Sequence, residues 1–192
     1  IPSKMTDLHN ASLLEPFKVA AKELVAEGVS GITTTCGFLS IYQNELADHC
    51  GVPVASSSLL QVPFAQTIIG TKKRVGVMTY NGSVLQGPYL EAVNVSPDTP
   101  VKGMPQNSEF VRWINDGDVS ISFDTLREEA LVAAREFQAE YPDLGAIVLE
   151  CTNLAPFSAD ISSELGLPVF DCVTLVNWLH AGLRPQRHEP GV

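Results

Sequence analysis

The chain has 192 residues, 45% of them hydrophobic and 18% charged, and a formal net charge of -10 at pH 7. That length and apolar content suffice for a substantial core in two small lobes or one doubled domain, while the negative surface repels phosphate backbones and anionic lipid, so neither nucleic acid nor a membrane is expected as a partner. No run approaches the roughly eighteen apolar residues of a membrane span, and Ile1-Pro2-Ser3-Lys4 has neither region of a signal peptide, which points to the cytoplasm.

In chain order, Ser12 to Glu27 sets Leu14, Phe17, Ala20, Ala21, Leu24 and Val25 at helical spacing, and Gly28 follows as a stop. Val29 to Thr35 reads as a strand, Leu39 to His49 as a helix ended by Gly51, and Val52-Pro53-Val54-Ala55 as a second strand. A strand-helix-strand order favours parallel pairing. The run Ser56-Ser57-Ser58 carries that strand into a loop and reads as a solvated helix cap. Arg74 to Thr79 is a Val-rich strand, followed by the turn signal Asn81-Gly82 and a helix to about Val93. Thr99 to Met104 and the helix-like Ser108 to Asn115 come next. Asp124 then caps a long helix reaching Glu140, and Asp143 to Glu150 is an apolar strand leading to Cys151. No linker separates the halves. One lobe is expected over about 12–70 with a C-terminal helix over 173–192, the other over about 74–171.

The chain also echoes itself. Displaced by 115 positions, Cys36 falls on Cys151, Ile32 on Ile147, Leu39 on Leu154, Tyr42 on Phe157, Gly51 on Gly166, Pro53 on Pro168, Val54 on Val169 and Leu60 on Leu175, without gaps. Two such units imply an α/β fold of pseudo-twofold lobes, with parallel sheets flanked by helices and a cleft between the lobes. Each cysteine would sit at the carboxyl end of a strand, where open parallel sheets bind their ligands.

Two like acids on opposite faces of one carbon can remove a proton next to a carboxylate and return it from the other side. Free cysteine titrates near pH 8.5, and a helix N-terminus lowers that value, so a thiolate and a thiol are expected to coexist near neutrality. Backbone N–H groups at Gly37-Phe38 and Thr152-Asn153 are candidates for holding the carboxylate. This scheme needs neither metal nor pyridoxal, and no cofactor is expected. Thr34, Thr35, Thr79 and Asn81 are further candidate substrate contacts, against the plainer readings of strand threonines and turn chemistry.

Ile32-Thr33-Thr34-Thr35-Cys36-Gly37-Phe38-Leu39 and Val148-Leu149-Glu150-Cys151-Thr152-Asn153 resemble the two cysteine motifs of the aspartate/glutamate racemase superfamily. Gly166-Leu167-Pro168-Val169-Phe170-Asp171 is similar to that family's last strand, and Val75-Gly76-Val77-Met78-Thr79 to its middle strand ending in a substrate-facing threonine. The resemblance implies a two-lobed fold and proton transfer by paired thiols without cofactor. Two departures bear on the substrate: Gly37-Phe38 stands where amino-acid racemases of this kind carry Asn-Thr, and Asn153 where they carry Glu or His. Hydantoin racemases and arylmalonate decarboxylases resemble the same scaffold, the latter with one cysteine. The family's first strand is not visible in Ile1 to Asn10 and is expected upstream of Ile1.

Cys50 and Cys172 have no mate under the displacement and read as small buried hydrophobes. His9, His49, His180 and His188 share no context with a Ser or Asp, and neither Gly-x-Ser-x-Gly nor a phosphate-binding glycine motif occurs. The expected activity is racemisation or epimerisation of a small carboxylate compound, such as aspartate, glutamate or a hydantoin, by Cys36 and Cys151. The alternatives are a related lyase or isomerase using one cysteine, or a binding protein that kept the cleft. A homodimer or higher homo-oligomer is expected.

Overall fold

The structure is a computed structural model that describes residues 14–187. Ser12, the stretch Ile1 to Asn10 and the predicted helical tail past Arg187 lie outside the described residues. Strands β1 (Ile32–Thr33) and β2 (Val54–Ala55) form a small parallel sheet, and β3 (Arg74–Thr79), β4 (Val101–Gly103), β5 (Leu144–Leu149) and β6 (Val169–Phe170) form a second in the order β4-β3-β5-β6, again all parallel. Around them pack α1 (Leu14–Ala26), α2 (Gln43–Cys50), α3 (Val62–Ile69), α4 (Gly87–Glu91), α5 (Glu109–Asp116), α6 (Phe123–Glu140), α7 (Ser158–Leu165) and α8 (Cys172–Leu183).

Period-two alternation in β3 and β5 divides the core. Val75, Val77, Ala146 and Val148 face Phe38, Leu39, Leu59, Ala65 and Tyr89 on one side. Met78, Leu144, Ile147 and Leu149 face Phe110, Ala130, Phe137 and Phe157 on the other. Burial on both faces is why these strands read as near-continuous apolar runs. A two-pronged ion pair from Arg74 to Asp143, at 2.7 and 2.9 Å, joins the starts of β3 and β5.

The internal echo is written into the ladder register. Ile32 pairs with Val54 and Thr33 with Ala55, and 115 positions on, Ile147 pairs with Val169 and Val148 with Phe170. The 3-10 turn Gly37–Tyr42, α2 and left-handed Gly51 recur as the 3-10 turn Thr152–Phe157, α7 and left-handed Gly166. Side chains that brace each unit internally also correspond. Gln43 Oε1 accepts from Ser56 Oγ at 2.7 Å, and at the matching positions Ser158 Oγ donates to Asp171 Oδ2 at 2.5 Å.

Several expected elements differ in the structure. The strand over Val29 to Thr35 is confined to Ile32–Thr33, because among the described residues β1 has β2 as its one ladder partner and Thr34 turns away to donate its hydroxyl to Ser56 O and Cys36 O. The helix after Asn81-Gly82 shrinks to α4, since Pro88 sets its start and the chain turns again by Asn94 at positive φ. Ser122, not Asp124, caps α6, its hydroxyl accepting from Thr125 N at 3.1 Å. Ser57 does cap a 3-10 turn, but the serine run is buried rather than solvated. Cys50 is buried as expected, whereas Cys172 is only half-buried at the start of α8.

Candidate active site

Each cysteine follows the end of a strand and opens a 3-10 turn, so its backbone leaves the sheet in extended conformation and aims the thiol at the carboxyl-terminal rim. The two rims meet. Cys36 and Cys151 line one small cavity of about 80 Å³ together with Thr35, Gly37, Phe38, Tyr80, Ile114, Glu150, Thr152 and Asn153. Thr152 Oγ1 donates to Thr35 O at 2.9 Å and ties the two loops together across the gap. Cys36 also borders a larger apolar groove of about 520 Å³ between α1 and the first sheet, lined by Phe17, Leu24, Ile32 and Thr34 among others.

Among the residues singled out from sequence, Thr35, Gly37, Phe38, Thr152 and Asn153 share the cysteine cavity. Three do not. Thr34 lines the apolar groove and spends its hydroxyl on backbone carbonyls. Asn81 holds a turn, accepting from Ser83 N and Oγ at 3.1 and 2.7 Å. Thr79 is 0% exposed and donates to Glu150 Oε2 at 2.5 Å, so it faces a carboxylate of the protein itself rather than a substrate.

Glu150, Tyr80 and Ile114 complete the cavity and were not singled out from sequence. For Glu150 the signal lay in its spelling, an acid at the end of an otherwise apolar strand and one residue before a paired cysteine. Its side chain is 1% exposed, and burial pushes its carboxyl up to about 7 despite the opposing hydrogen bond from Thr79. Oε1 has no hydrogen-bond partner among the described residues. Tyr80 is anchored from outside the cavity by its hydroxyl, which donates to Asn115 Oδ1 at 2.5 Å.

The expectation that helix starts would lower both thiols is not met. Burial raises Cys36 first, and the Glu150 carboxylate raises it further; the backbone amides of Phe38 and Leu39 oppose both and lose. Burial likewise pushes Cys151 up to about 12, with Glu150 adding to it against the amides of Asn153 and Leu154. Those amide pairs occupy equivalent positions of the two units. With both thiols raised above the free cysteine value, they are protonated at neutral pH.

This architecture, paired βα units with a cysteine on each rim, is the aspartate/glutamate racemase fold. Unliganded arylmalonate decarboxylase superposes with a TM-score of 0.65 at 16% identity, over 95% of this chain and 80% of that one. A glutamate racemase isoform from Bacillus anthracis gives 0.57 at 12% identity, over 86% and 66%. By sequence the chain is similar to the dimethylsulfoniopropionate lyase of Durusdinium sp. clade D, 32% identical over 173 residues, which are 86% of this chain and 57% of that protein. It is also similar to dimethylsulfoniopropionate lyase 7 of Emiliania huxleyi strain CCMP1516, 30% identical over 181 residues, covering 87% and 51%. The chain thus spans about half the length of these relatives. It matches no protein-family model. Its scaffold is one used by lyases and racemases, and among the described residues no helix is long and apolar enough to cross a membrane.

Proposed function

We propose that the protein is a cofactor-independent lyase for a small sulfonium carboxylate of the dimethylsulfoniopropionate kind. The observation that carries the reading is that both thiols open on one cavity whose lining, among the described residues, includes a carboxylate and no Lys, Arg or His. A sulfonium cation suits such a lining: Glu150 supplies negative charge nearby, and the aromatic residues Phe38 and Tyr80 line the same cavity, aromatic rings being favourable neighbours for a cation. The similar lyases name the substrate class, and the net charge of -10 is compatible with a cationic group.

In this reading the backbone N–H groups at Gly37-Phe38 and Thr152-Asn153 hold the substrate carboxylate. A cysteine thiolate takes the proton from the carbon beside that carboxylate. The released C–H electron pair becomes the new carbon–carbon double bond, and the carbon–sulfur bond breaks with its pair remaining on sulfur. The products are acrylate, neutral dimethyl sulfide and a protonated thiol. A neutral leaving group needs no acid, so elimination asks for one base where racemisation asks for a base and an acid.

The test is headspace measurement of dimethyl sulfide from dimethylsulfoniopropionate, with the Cys36→Ala and Cys151→Ala proteins beside the parent. Release by the parent and a drop of at least about 100-fold in one variant is the expected result. Racemisation is a second reading, favoured by the equivalence of the two thiols under the 115-residue displacement. No dimethyl sulfide, together with deuterium wash-in and inversion at the α-carbon of a chiral carboxylate, would replace the lyase reading with that one.

A further inference from the structure

We propose that Glu150 is a positioning residue that holds the proton of the thiol pair: its Oε1 receives a proton from a thiol when substrate enters and, the thiol having been reprotonated from the substrate carbon, gives that proton up to solvent when the products leave. The inference deepens the reading above and rests on it for the identity of the trigger.

The geometry comes first. Glu150 is buried on the floor of the cavity that both cysteines line. Its Oε2 is engaged by the Thr79 hydroxyl from β3, while Oε1, equally buried, has no partner among the described residues. A buried oxygen left unpaired costs stability unless it serves something else. Room for the carboxyl exists because residue 37 is glycine, since a Cβ there would collide with Oε1. Carboxyl and first cysteine loop are thus fitted to each other.

Electrostatics then decides what such a carboxyl can do. A carboxylate and a thiolate together would bury two like charges in one dry site, which is strongly disfavoured. Moving a proton from sulfur to Oε1 avoids that. The S–H bond breaks with its electron pair left on sulfur, the O–H bond forms, and the charge shifts from oxygen to sulfur with the net charge of the site unchanged. The titratable groups facing Glu150 are Cys151 on its own loop, Cys36 on the opposite loop and Tyr89 from α4, whose phenol is itself raised, by burial first and then by its acidic neighbours. Among the described residues, no Lys, Arg or His lines the cavity to hold a thiolate. Above about pH 7 charge therefore rests on Glu150 rather than on sulfur, and a cation seated beside sulfur draws it to the thiol.

The experiment is the pH dependence of iodoacetamide alkylation at Cys36 and Cys151, resolved by peptide mass spectrometry, in the parent, Glu150→Gln and Thr79→Val proteins. Removing the carboxylate should bring thiolate formation down by about one pH unit or more, so Glu150→Gln is alkylated about tenfold faster at a fixed pH above 7. In Thr79→Val the carboxyl stays protonated to higher pH, and the inflection that the parent shows near 7 should move up. Thr79→Val also keeps the test open if the Gln protein fails to fold. Where turnover is measurable, the acid limb of kcat/KM near pH 7 should vanish in Glu150→Gln. Alkylation profiles of both variants that superimpose on the parent overturn the proposal. Alkylation needs no substrate, so that outcome is separate from a failure to release dimethyl sulfide, which concerns the lyase reading alone.

Discussion

A side chain at position 37 has nowhere to go: its Cβ would run into Oε1 of Glu150 and lie 2.5 Å from Cδ. Gly37→Ala is therefore expected to push the Glu150 carboxyl off Thr79, costing about 1–3 kcal/mol of stability as overpacking does and removing most activity. Denaturant unfolding and alkylation profiles check it, and a variant matching its parent in both would show that the loop simply yields. Glu150 fills the space that a side chain larger than glycine at position 37 would take. Each residue was visible in the sequence, but their complementarity was not, because it joins positions 113 residues apart that only the rim of the sheet brings together. The threonines show the converse. Thr79 is a candidate substrate contact by its resemblance to the threonine that ends the racemase family's middle strand, yet the acid beside Cys151 claims its hydroxyl.

Displaced by 115 residues, the elements keep their dihedral angles as well as their order. Gly51 closes α2 at φ 75° and Gly166 closes α7 at φ 63°, both left-handed. A Cβ at either position would meet nothing within 4 Å, so the cost of alanine there is conformational alone. Gly51→Ala and Gly166→Ala should each lose about 1 kcal/mol, and equal shifts in urea midpoint are the expected outcome. A neutral change at one site and a loss at the other would break the equivalence of the two units. This level of the fold was legible, since a glycine after a helical pattern and a proline two residues later are local signals that survive duplication. Less legible were the edges. Val29 to Thr35 has the composition of a long strand, but ladder length depends on a neighbour, and β2 offers two residues. Likewise α3 has Pro63 inside its first turn and a largely apolar sequence, so no stripe marked it as a helix.

Across the whole molecule, the unusual term is an acid buried beneath the site. Glu150 has a free value of 4.5 and a folded value of about 7, raised chiefly by burial. Because the folded value lies above the free one, the fold prefers the protonated form. The stabilisation is complete below about pH 4.5 and is lost as the pH rises through about 7, amounting to about 3 kcal/mol in all. Other charges complicate a bare comparison, since a chain of net charge -10 repels itself. The Glu150→Gln protein carries that same background without the buried titration. Urea unfolding of both proteins at pH 5 and pH 8 should show the parent losing about 2–3 kcal/mol more than the variant over that interval. Parallel losses would mean that Glu150 titrates as an ordinary surface acid. A steeper loss in the parent would mean that the acid beneath the thiols is held against its own solvation by the packing of β3, β5 and the first cysteine loop. Such a cost is expected where a site stores charge for its chemistry rather than for its stability.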